Sequence, residues 1–183
     1  MNFLKLFMNK TTLRLINFIL FQFGWLACVK SGAQGVLWIT PVAIAPVLVW
    51  HFYIIKNRKT ELRLILIGSL LGSLLDQVLL MTGWLVYPDS AWPSWMLPPW
   101  MVALWLVFCT TLNLSLSWLQ NRLYLATAIG VIGGPLTYWA GAKLGAVVWF
   151  KPLYVSGFLA AEWGMLIPFL LWLANQKNIE IRN

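Results

Sequence analysis

Charge is scarce in this chain: there are five acids and thirteen bases among 183 residues, with one histidine and two cysteines. Charged side chains make up 10% of the sequence, where soluble domains average about 25%. An apolar share of 61% is too large to hide in one core of this size, which excludes a soluble globular fold. Disorder is excluded as well, because it requires low hydrophobicity and high charge. Two cysteines cannot supply a disulfide framework, and Cys28 and Cys109 lie in no metal or redox spacing. The lone His51 has no second histidine, acidic cluster or cysteine pair around it, so no metal is expected. No phosphate-cradling glycine loop, nucleophile elbow or zinc-protease motif is present, and no cofactor is implied.

What the chain has in abundance is apolar and aromatic: 13 tryptophans and a mean hydropathy of +0.77. A helix crossing roughly 30 Å of hydrocarbon needs about 20 apolar residues. Windows of that kind occur at about 13–29, 36–55, 64–86, 100–119, 123–144 and 153–173. Backbone groups in lipid must be satisfied within the segment, and no window alternates with the two-residue period of a barrel strand. The expectation is an all-α polytopic membrane bundle of about six transmembrane helices, forming a single domain over residues 1–183.

Ten bases fall at one set of helix ends: Lys5, Lys10, Arg14, Lys56, Arg58, Lys59, Arg63, Arg122, Lys177 and Arg182. Three, Lys30, Lys143 and Lys151, fall at the other. The positive-inside rule puts both termini in the cytoplasm of a bacterial inner membrane. The net charge of +8 is thereby a topological signal, and nucleic acid is not an expected partner. Leu26-Ala27-Cys28 hints at a lipoprotein cleavage site, but Trp25 and the long apolar run favour an uncleaved first helix. The base-free stretch 87–100, rich in proline and tryptophan, is expected to lie along the outer interface.

Intramembrane polar residues are costly and therefore informative. Asp76 follows Gly68 and Gly72 at four-residue spacing, so all three share one face, small enough to pack against other helices. Glu162 lies at a similar depth in the last window, with no base at that level. Such a pair can carry protons or bind a cation, or it can simply join helices. Cys109, Thr110, Asn113 and Ser117 are predicted to share a face of the fourth window, with Asn113 suited to interhelical bonding or to a polar ligand. Gly133, Gly134 and Pro135 form a candidate helix kink, because proline removes one backbone hydrogen bond at mid-membrane. The pairs Gly130/Gly134 and Gly141/Gly145 allow close helix approach, Lys143 is expected to snorkel, and His51 is expected at the cytoplasmic interface.

Several of these segments occur together in a pattern that resembles a known family. They are Asn17-Phe18 with Phe21-Gln22-Phe23-Gly24-Trp25, Glu61-Leu62-Arg63, Gly72-Ser73-Leu74-Leu75-Asp76, Thr110-Thr111-Leu112-Asn113 with Trp118-Leu119, and Gly133 through Gly141. The chain resembles a family of uncharacterised proteobacterial inner-membrane proteins, domain of unknown function two-eight-seven-eight. The likeness spans nearly the whole chain, and Gly-Gly-Pro-Leu-x-Tyr-x-x-Gly is its most specific part. Proteins of this kind are often encoded near enzymes that modify membrane fatty acids, so the resemblance implies a lipid-related setting by association. It carries over no catalytic residue.

Three readings follow. The first is a carrier or proton-coupled lipid-handling protein, in which Asp76 and Glu162 titrate and Asn113 contacts the cargo. The second is a non-catalytic scaffold or subunit for a lipid-modifying enzyme. The third is an intramembrane enzyme acting on acyl chains, ranked last because no cofactor or metal constellation is visible. The expected partners are membrane lipids, with a lipid-enzyme protein partner under the second reading.

Overall fold

Asn9 starts the first helix by accepting the Thr12 backbone N–H at 2.8 Å, one of the four donors a helix start leaves unpaired. Gly35 ends that helix in the left-handed region at φ 64°, a conformation glycine adopts without Cβ strain. The computed structural model describes residues 9–88 and 92–176. Lys5, Lys177 and Arg182 lie outside the described residues, as do residues 89–91 of the outer stretch.

Six α-helices occur among the described residues: α1 Lys10–Gln34, α2 Ile39–Ile54, α3 Arg58–Met81, α4 Pro99–Cys109, α5 Leu123–Lys143 and α6 Pro152–Asn175. A two-residue antiparallel pair, β1 Leu85–Val86 and β2 Val148–Trp149, joins the α3 exit to the α5–α6 connection. Four helices, α1, α3, α5 and α6, are long and apolar enough to cross a membrane. The protein is therefore an all-helical bundle with the composition of a membrane protein, and α2 and α4 are shorter apolar helices.

The fourth window is where the sequence expectation needs correction. Its α-helix stops at Cys109, and residues 110–119 run as successive turns ending in a 3-10 helix, Ser117–Leu119. The reason is local: Thr110 and Thr111 donate their hydroxyls to the carbonyls of Val107 and Phe108 at 2.7 and 2.6 Å. Hydroxyl back-bonding of this kind competes with helix continuation. Thr110, Asn113 and Ser117 consequently do not share a helical face.

Helix α4 is the centre of the molecule. Eight of its 11 residues are buried, as a helix apolar all round requires. Its large side chains sit in glycine notches of its neighbours. A Cβ at Gly68 of α3 would stand 2.6 Å from Cys109 Sγ, and one at Gly72 would stand 2.6 Å from Trp105 Cε3. On α1, Gly32 faces the Trp100 indole and Gly24 faces Val107. The α5–α6 pair is equally close, with Gly130 against the Trp163 backbone and Gly134 against its ring. Gly145 has a different role from the one its spacing suggests: it lies beyond α5 in a turn at φ 86°.

The outer stretch contains no helix over residues 92–98, as its prolines dictate. Gln77 ties it to α3, donating to the Trp95 carbonyl at 2.9 Å and accepting the Leu97 N–H at 2.8 Å.

Candidate functional site

Asp76 is completely buried, on the same α3 face as Gly68 and Gly72. Because Gly72 has no side chain, the Trp105 ring lies flat against α3, and its indole N–H donates to Asp76 Oδ2 at 2.6 Å. From α5, the Tyr138 hydroxyl donates to Asp76 Oδ1. Both carboxyl oxygens of Asp76 are thus engaged, by donors from two different helices.

Glu162 comes from α6 and lies within electrostatic reach of Asp76 and Tyr138. It is 3% exposed, yet neither carboxyl oxygen has a hydrogen-bond partner. Buried carboxylates without partners are rare because desolvation of the group is uncompensated. The next residue, Trp163, stacks on Trp105 with ring centroids 4.9 Å apart, and Gly134 of α5 lies against it. Tyr87, which follows β1, lies buried with its hydroxyl close to that of Tyr138.

Two apolar cavities flank this cluster. One, of about 510 Å³, runs between α3 and α6 and is lined by Leu71, Leu75, Phe158, Ala161 and Met165, with Glu162 on its wall. The other, of about 360 Å³, lies among α1, α4, α5 and α6, where Gln22, Gly133, Thr137 and Trp163 contribute to the lining. Helix α5 continues through Gly133, Gly134 and Pro135 to Lys143. Gly133 borders the smaller cavity, and Gly134 is occupied by Trp163.

Asn113 does not join Asp76 and Glu162. It belongs to a second polar cluster, where its amide donates to Glu61 Oε2 at 2.8 Å and accepts from Gln120 at 3.0 Å. The other Glu61 oxygen, Oε1, pairs with His51 Nε2 at 2.7 Å. His51 and Glu61 are both fully buried, so His51 makes its hydrogen bond inside the bundle. Sequence reasoning missed this pair. The available signal was that Glu61 lies 15 residues before Asp76, which at 100° per residue puts both acids on one half of α3.

Thr110 joins a third group. Asn17 reaches its carbonyl at 3.4 Å and accepts the Ser115 hydroxyl at 2.7 Å, tying α1 to the turns after α4. Ser117 donates to the Leu114 carbonyl at 2.7 Å and meets none of the other candidates. Among the described residues no group of three or more His, Cys, Asp or Glu side chains is placed to hold a metal ion.

No curated protein and no solved structure matches the chain. A family model described as protein of unknown function (DUF2878) matches residues 14–169, most of the chain, and the protein belongs to that family.

Proposed function

We propose that the protein crosses the bacterial inner membrane six times and acts as a carrier or proton-coupled handler of a lipid-like molecule. Asp76 and Glu162 are its working groups. The observation that carries this reading is Glu162, which lines an apolar cavity while its carboxyl is buried without a partner and near a second buried acid. Pure helix-joining residues find partners, as Asn17 and Asn113 do here. Intramembrane acids with unused capacity mark proton or substrate pathways.

Topology agrees with this reading. The start of α1, the end of α2, the start of α3 and residues 110–120 share the Asn17 and Glu61 networks, so they lie at one end of the bundle. The exits of α3 and α5 share the β1–β2 pair at the other. Six alternating crossings satisfy both groupings, with the basic end cytoplasmic. In this arrangement α2, about 24 Å long at 1.5 Å per residue, spans most of the hydrocarbon, and α4 is extended by its turns.

The test is lipid mass spectrometry of the protein purified from membranes in mild detergent. The expected result is an amphiphile recovered with the wild type and lost from Glu162→Gln and Asp76→Asn, both of which elute as folded protein. Identical lipid content in all three refutes the reading. Asp76, saturated by Trp105 and Tyr138, favours a second reading as a scaffold for a lipid-modifying enzyme. That reading predicts a protein partner in mild detergent and no lipid change in the variants.

A further inference from the structure

We infer that the cavity between α3 and α6 binds the alkyl chain of a single-chain amphiphile whose protonated amine is held by Glu162; this rests on Asp76 and Glu162 forming a ligand-handling pair. The cavity wall is hydrocarbon from end to end apart from one residue. Leu71 and Leu75 contribute from α3, Phe158, Met165 and Phe169 from α6, and Glu162 is its one charged lining group. Its volume of about 510 Å³ falls within the range of small-molecule sites. Leu70, Leu74 and Met165 nearby are exposed on the outer surface, so a chain can enter sideways from surrounding lipid.

Glu162 determines the headgroup. Its two oxygens have no hydrogen-bond partner, and Glu162 is 3% exposed where it lines the cavity. Trp105 and Tyr138 both serve Asp76, and neither the Tyr87 hydroxyl nor the Trp163 indole N–H bonds to Glu162. No ion pair to Glu162 or Asp76 occurs among the described residues, although two acids share this space. A ligand group that complements this site brings positive charge and several N–H donors, which an ammonium does. A fatty-acid carboxylate would add a third acid and is rejected by like-charge repulsion.

Native mass spectrometry of the protein in non-ionic detergent, titrated with dodecylamine, dodecanol or dodecanoate, tests the inference. Dodecylamine is expected to bind at about one per chain, dodecanol about tenfold more weakly, and dodecanoate not at all. Glu162→Gln should weaken dodecylamine by about tenfold or more while leaving dodecanol within about threefold. Ala161→Trp, which fills the cavity from its exposed rim, should remove both amphiphiles. Retention of dodecanoate as strong as that of dodecylamine overturns the inference, and so does undiminished dodecylamine binding by Glu162→Gln. If neither probe binds but a membrane lipid copurifies and is lost from Glu162→Gln, the amine headgroup is wrong and the lipid-handling reading stands. If no lipid copurifies either, both fall.

Discussion

Gly130→Ala is the sharpest test of how α5 and α6 are held together. A methyl at Gly130 would stand 2.7 Å from the Trp163 carbonyl carbon and 3.0 Å from the Gly164 nitrogen. Those atoms belong to a helix backbone, so the clash cannot be relieved by rotating a side chain. Overpacking of this kind costs about 1–3 kcal/mol. Replacing a mid-helix glycine by alanine also gains up to about 1 kcal/mol in helix propensity, which has to be separated from the clash. Gly133→Ala supplies the correction, because Gly133 lies one turn away in the same helix and its added Cβ meets nothing within 4 Å. The difference between the two variants therefore isolates the clash, and Gly130→Ala should be less stable than Gly133→Ala by about 1–3 kcal/mol. The assay is reversible unfolding in mixed micelles of rising SDS fraction, followed by tryptophan fluorescence. Near-UV circular dichroism should change for Gly130→Ala alone, because Trp163 stacks on Trp105. Equal stability of the two alanine variants would refute the close α5–α6 approach.

Three further predictions address other parts of the molecule. Tyr138→Phe removes only the hydroxyl that serves Asp76 and should cost about 1–3 kcal/mol in the same assay; an unchanged midpoint would show that Asp76 does not depend on this donor. His51→Phe should also cost about 1–3 kcal/mol by leaving Glu61 Oε1 unpaired, and adding Glu61→Gln should recover part of that loss, since it removes the unpaired charge while keeping an oxygen to accept from Asn113. A double variant less stable than His51→Phe would contradict the pairing. For orientation, Ser94→Cys should react with a membrane-impermeant maleimide added to intact cells and Asn57→Cys should not. The native Cys28 and Cys109 should stay silent because both are buried. The reverse pattern would invert the proposed topology.

Much of the architecture was legible in the sequence, and the residues show why. Apolar windows long enough to span a bilayer are a one-dimensional property, so the ends of α1, α3, α5 and α6 fall within six residues of their windows. The spacing of Gly68, Gly72 and Asp76 identifies a buried face because helical periodicity is also local. The fourth window failed because hydropathy does not register the hydroxyls of Thr110 and Thr111 turning back onto the α4 carbonyls. With the helix ended, the assumed alignment of Thr110, Asn113 and Ser117 disappeared.

By itself the sequence determined the class of the protein: too little charge and too much hydrocarbon for water, with the few bases sorted to the helix ends. It also singled out Asp76 and Glu162, because an acid deep in an apolar helix is conspicuous without any knowledge of its neighbours. Only the tertiary structure decided which polar residues meet. Glu162 stands beside Asp76 because α6 packs against α3, while Asn113 joins His51 and Glu61 at the other end of the bundle. Helix neighbours are set by the fit of side chains into notches, such as Trp105 over Gly72 and Trp163 against Gly134. That fit depends on shapes brought together from distant parts of the chain, and no local pattern encodes it.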